Sequence, residues 1–172
     1  MSIQKSKRVL CVPGVFPKSF AENVRKHMPW MHIDTINKQT IDLGFVREAM
    51  LFAANCASLE KIGYANLVEP DKVNVCRRVS ISPNLQKGEI LSSRTLPGKS
   101  VLMVVNLTQA MTSSAMSRYA YTGGAFIVDG QRYVMNTMSA MFVAPDTSFA
   151  IEAVHDGILE LLITDILIDN KE

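Results

Sequence analysis

Histidine is scarce in this chain. There are three, His27, His32 and His155, with no HExxH spacing around them and no clustered pair of carboxylates. Divalent metals need imidazole, thiolate or carboxylate donors brought close together, so no recognisable metal signature is present. Cysteine is as rare: Cys11, Cys56 and Cys76 are odd in number and none falls in a CxxC pair. That argues against a disulfide framework and predicts packed thiols in a reducing, cytoplasmic or nuclear compartment. No apolar run reaches the ~18 residues that read as a membrane span. The apolar stretch after Arg8 is short and broken by Pro13, which argues against a signal peptide. Gly123-Gly124 is followed by a β pattern, without the Lys-Ser/Thr pair or the helix of a phosphate loop, so a turn or bulge is expected there. There is no internal repeat and no low-complexity tract.

What the chain does contain is apolar material for a core. Of 172 residues, 48% are hydrophobic and 20% charged, the balance of a folded protein at the length of one domain with or without an appendage. Charge is uneven: residues 1–41 hold seven Lys/Arg against two acids, and residues 101–172 hold three against eight. The basic front of Lys5, Lys7, Arg8, Lys18, Arg25 and Lys26 reads as the electrostatic footprint of a polyanion contact, nucleic acid included.

Punctuation by Pro13-Gly14 and Pro17 predicts an irregular arm over residues 1–17. Ser19-Phe-Ala-Glu22 is a capping box, so a short helix is expected over about 20–28, stopped by Pro29. A longer helix is expected over about 42–62. Val46, Met50, Ala53 and Ala57 form one apolar stripe, Phe45, Ala49, Phe52 and Cys56 a second beside it, and Gly63 falls just past the end. From Val73 the apolar period changes to two, with Arg77 interrupting the apolar face. Further strands are expected at 101–107, at 125–128 and 131–134 about a type I′ Asp129-Gly130 turn, and at 140–143, 149–154 and 158–164. The expected fold is α+β: a helical region over 1–70 with a basic N-terminal arm, followed by an antiparallel jelly-roll-like β-barrel over 71–172.

From Gly123 onward the chain resembles the cupin superfamily, the RmlC-like jelly rolls. Phe126-Ile-Val-Asp-Gly130 matches the family's hairpin, Met141-Phe-Val-Ala-Pro145 its strand into a proline, and Ile158-Leu-Glu-Leu-Leu its closing strand. The resemblance covers about residues 90–168 and implies a jelly-roll barrel. It also implies where a cupin metal site would lie: near Gly123, at residues 116–119 and at Ala150. None of these is a metal ligand, so the resemblance implies the metal-free type, with no cofactor. Within that type the chain is similar to the dimerisation cupin of the kinetochore protein CENP-C, through Phe142-Val143-Ala144-Pro145 and residues 159–163.

The functional expectation is therefore a non-catalytic scaffold, not an enzyme. The barrel self-associates as a homodimer, and the basic helical front contacts a larger assembly, chromatin or another nucleoprotein. The run from Ile158 to Ile168 is apolar on both faces and needs a second cover, so Leu159, Leu162, Ile166, Leu167 and Ile168 are the interface candidates. The alternatives are a metal-free cupin that binds a small molecule as a sensor or isomerase, and a viral structural protein. For a ligand pocket the candidates are Arg118, Tyr119, Tyr121 and Tyr133, the first three in a Met-rich polar stretch. His155 and Asp156 are adjacent in a tight turn and do not orient as two parts of a triad, so no catalytic residue is expected.

Overall fold

The computed structural model describes residues 8–27, 37–41, 44–64, 67–74, 76–81, 94–95, 100–110 and 120–167. The expected irregular arm contains a strand, Val9–Val12 (β1), since Val-Leu-Cys-Val is apolar and β-branched enough to pair along a sheet edge. Helix α1 is Lys18–His27, so Ser19 sits inside the first turn and not before it. Strand β2, Asn37–Ile41, follows, and then helix α2, Gly44–Cys56. The long helix expected to reach Ile62 ends early because Ser58 turns left-handed (φ 57°). The chain continues as a 3-10 turn, Leu59–Ile62, closed by Gly63 at φ 94°.

The rest is strand: β3 Cys76–Ile81, β4 Arg94–Thr95, β5 Ser100–Asn106, β6 Gln109–Ala110 and β7 Ala120–Gly123. After them come β8 Phe126–Val128, β9 Gln131–Tyr133, β10 Ala140–Val143, β11 Ser148–Ile151, β12 Val154–Gly157 and β13 Leu159–Leu167. They form a six-stranded sheet in the order β1-β10-β5-β13-β3-β2, a four-stranded sheet β4-β11-β8-β9 and a three-stranded sheet β12-β7-β6. This is a mostly β, jelly-roll-like fold. Strands β1 and β2 come from the first seventy residues, so that part of the chain shares a sheet with the rest.

Side-chain alternation gives the large sheet two buried faces. Leu159, Leu161 and Ile163 of β13, with Val79, Ile81, Leu102, Val104, Met141 and Val143, pack toward Phe126, Val128, Phe149 and Ile151 of the smaller sheet. Leu162 and Ile166 of the same strand, with Met103, Val105 and Phe142, join a second core with Phe20 and Val24 of α1 and Val46, Met50 and Ala53 of α2. The second cover that the closing strand requires is thus supplied by the chain's own helices. Leu159, Leu162 and Ile166 are fully enclosed, Leu167 is 37% exposed, and Ile168 lies outside the described residues. The need for a neighbouring subunit, which made these residues interface candidates, is removed.

Two glycines are set by geometry. Asp129 and Gly130 have φ of 48° and 80°, the positive pair that a type I′ hairpin demands. At Gly123 (φ 78°) an added Cβ would lie 2.4 Å from the Ala153 carbonyl oxygen and 2.9 Å from the His155 backbone nitrogen, whereas at Gly130 it would meet nothing within 4 Å. Gly130→Ala should therefore cost only the left-handed strain, roughly 1–2 kcal/mol. Gly123→Ala should cost distinctly more, because backbone must move. Urea midpoints of the two variants check this; equal midpoints would contradict the packing at Gly123.

Candidate functional site

The space between the two sheets is filled by hydrocarbon. Phe126 and Phe149 meet there with ring centroids 6.0 Å apart, and Met135 and Met141 fill the gaps around them. Among the described residues, polar side chains on these faces gather at its two ends.

At one end β5 leaves the sheet at Asn106, which is fully buried. Its Nδ2 donates to the Tyr121 hydroxyl (3.2 Å) and to the Met135 carbonyl (3.1 Å). Its Oδ1 accepts from the Thr108 backbone N–H (2.9 Å) and the Thr108 hydroxyl (3.0 Å). Thr108 Oγ1 in turn accepts from the Glu160 N–H at 3.1 Å. Two amide donors and two acceptor sites exhaust the carboxamide, so this node ties β5, β7 and β13 together and keeps nothing in reserve for a ligand. Burial pushes the Tyr121 phenol above its ordinary value, against the opposing effect of the Asn106 hydrogen bond, so it is a neutral donor and not a base.

At the other end the inward-facing positions of β3 and β13 carry charge. Arg77 shares the face of Val79 and Ile81, and Asp165 that of Ile163 and Leu161; their side chains approach to 3.9 Å while 43% and 35% exposed. A half-exposed pair at this distance contributes little to stability, so both groups can be redirected at low cost. On the opposite face of the sheet, Arg78 and Glu160 are buried to 2% and 0% exposure with Nε and Oε1 2.5 Å apart, a charge contact whose N–H is not aligned on the oxygen. This pair faces the helical side and is structural.

The pocket candidates do not come together. Tyr121 is buried in the Asn106 node, Tyr133 is partly exposed on β9 and donates to Gln131 Oε1 at 3.0 Å, and Arg118 and Tyr119 lie outside the described residues. Of the basic front, Lys5 and Lys7 lie outside as well, and so does the side chain of Arg25. Arg8, Lys18 and Lys26 are exposed, with Arg8 Nη1 donating to the Pro145 carbonyl at 3.2 Å. Asp156 accepts a hydrogen bond from Thr122 Oγ1 at 3.2 Å, and His155 beside it is exposed. Ala150 alternates with the inward Phe149 and Ile151 and so faces away from the space between the sheets. The sequence reading missed Asn106, whose only signal was a polar residue ending an apolar strand. It noticed Arg77 as an interruption without a partner.

No protein-family model matches the chain, and no curated protein matches it. Solved structures do. A viral collagen prolyl hydroxylase from Paramecium Bursaria Chlorella virus-1, in complex with 2-oxoglutarate (2OG), matches 95% of this chain and 97% of its own at TM-score 0.66 and 9% identity. A 2OG-Fe(II) oxygenase-family oxidoreductase from Burkholderia pseudomallei matches 95% and 86% at 0.64 and 10%. SnoK, an α-ketoglutarate-dependent carbocyclase of nogalamycin biosynthesis, matches 95% and 80% at 0.65 and 10%. Cupins also match; the predicted oxalate decarboxylase from Thermotoga maritima covers 60% of this chain at 0.42, too low to weigh. At such identities the likeness establishes a fold. It nevertheless overturns the expectation of a non-catalytic dimerising scaffold on chromatin. The proteins named here that share the fold across nearly the whole chain are enzymes, and the strand that called for a dimer is covered from within. Neither the metal-free cupin sensor nor the viral structural protein gains support.

The Fe(II) named for the Burkholderia pseudomallei neighbour is a group this chain's described residues do not fit. Non-haem oxygenase iron takes two histidines and one carboxylate. Among the described residues no three His, Cys, Asp or Glu side chains come together as a metal site.

Two outcomes follow from the buried groups. Asn106→Leu strands the Thr108 N–H and removes the shorter of two hydrogen bonds to the Met135 carbonyl, and should lose about 3 kcal/mol, while Tyr121→Phe removes the hydroxyl's bond from Asn106 and its long 3.5 Å bond to the same carbonyl and should lose about 1 kcal/mol. Chemical denaturation of both variants checks the ranking. Burial also pushes the Cys76 thiol from 9.0 up to about 12. A raised value in the folded state means that its stabilising contribution is complete below pH 9 and is lost as pH climbs toward 12. Thermal stability should therefore fall over that range less steeply in Cys76→Ala than in wild type; parallel curves would contradict the burial.

Proposed function

We propose that this chain is an enzyme of the 2OG-dependent oxygenase type, working at the Arg77–Asp165 end of the space between the sheets. The observation that carries the reading is the extent of the likeness: 95% of the chain, so that the match takes in more than the jelly-roll strands. Fold alone does not fix function, so a chemical feature has to agree with it. Arg77 is that feature. 2OG is a dicarboxylate, and a guanidinium is the side chain that receives a carboxylate in a two-pronged, charge-assisted pair. Arg77 faces inward, is half-exposed, and is held only loosely by Asp165. The neighbours are as different as a collagen prolyl hydroxylase and a carbocyclase of nogalamycin biosynthesis, so no substrate is carried over from them, and no catalytic step is assigned to iron.

The test is calorimetric binding of 2OG to the full chain, with succinate formation measured in parallel in the presence of Fe(II) and ascorbate. Binding is expected in wild type, weakened tenfold or more in Arg77→Ala and not weakened in Asp165→Asn. No 2OG binding at millimolar concentration, or equal binding by Arg77→Ala, would contradict the reading.

A further inference from the structure

The donor chemistry of the chain conflicts with the metal centre that its fold neighbours carry. We infer that a metal serving this chain's inter-sheet site is not held by two histidines and a carboxylate. The inference rests on the oxygenase reading for its location, and on histidine placement for its content.

There are three histidines in the whole chain. His27 is the last residue of α1 and is exposed. Its Nδ1 is 2.8 Å from the Asn23 carbonyl and its ring lies 5.5 Å from that of Phe45, all on the helical side of the large sheet. His155 sits on β12 and is exposed; its neighbour Val154 is the one that turns into the inner core. Neither imidazole faces the space between the sheets. His32 is the remaining one and lies outside the described residues. Whatever His32 does, at most one imidazole is left for the site, and a two-histidine set cannot be assembled from one.

The carboxylates point the same way. On β13, Glu160 faces the helical core against Arg78, and Asp165 stands beside Arg77 at the inward-facing end. The thiols offer no substitute: Cys11 and Cys56 are exposed, and Cys76 belongs to the helical core with its thiol kept protonated by burial. Among the described residues, this end of the space thus offers Asp165 and no set of three metal-binding side chains.

The probe is Co(II), whose visible ligand-field spectrum and calorimetric affinity both report imidazole ligands without requiring turnover. Chelator-treated full-length wild type is compared with the double variant His27→Ala/His155→Ala, which changes only exposed residues and is checked for folding by circular dichroism. The titrations should superimpose, in affinity and in spectrum. A stoichiometric Co(II) site whose affinity falls tenfold or more in the double variant overturns the inference. Succinate formation separates this from the functional reading. If it is absent in both proteins while the Co(II) titrations superimpose, the oxygenase reading fails and the histidine inference stands. If it is present in wild type and lost with Co(II) binding in the double variant, the oxygenase reading stands and the inference fails.

Discussion

Strand β13 is the constraint on which the rest of the molecule depends. It runs through the middle of the large sheet, paired along one edge with β5 and along the other with β3. Leu159, Leu161 and Ile163 enter one core and Leu162 and Ile166 the other. A slip of one residue would exchange the two sets and drive Glu160 into hydrocarbon, so register is fixed from both sides at once. Glu160 can occupy its position only because Arg78 on β3 reaches it from within the same face. An ion pair so buried gains little net stability over apolar packing, but losing one partner would leave a stranded charge. Its clearest consequence is specificity of pairing between β3 and β13.

The same arrangement decides where chemistry can occur. With the inner face of the sheet packed onto Phe126, Val128, Phe149 and Ile151, a polar group must sit at one end or the other. One end is consumed by the Asn106 node, whose donors and acceptors are all engaged within the chain. Among the described residues, Arg77 and Asp165 at the other end are loosely paired and half-exposed. The candidate site follows from exclusion and position together, and the fold neighbours add the class of reaction to ask about. Among the described residues no metal-binding cluster accompanies the fold, because ligands are side chains and the fold fixes only the places where ligands could stand.

Local patterns were legible in the sequence wherever local physics decides. The strand at Ala140–Val143, the hairpin about Asp129-Gly130 and the Gly63 cap lie where apolar runs, Asp-Gly and glycine placed them. Strand β2 was not legible, because Asn-Lys-Gln-Thr-Ile is polar and exists as a strand only through its partner β3. Strand β1 was hidden by Pro13-Gly14, which end it without preventing it. The cupin resemblance came from the C-terminal strands, where jelly rolls share a pattern; the pairing of β1 with β10, across some 130 residues, has no local signature. At the site, Arg77 was visible as an oddity in an apolar face, but its pairing with Asp165 is a contact between distant strands that no spacing rule contains.

If one sheet holds two cores, helices and strands must stand or fall together. Native-state hydrogen exchange across a denaturant series measures this directly. Amides of α2, β5 and β13 should converge on one opening reaction, with the free energy and denaturant dependence of global unfolding. Helix α2 opening in a separate, lower-energy event while β5 and β13 remain protected would contradict the shared sheet as the element that organises this protein.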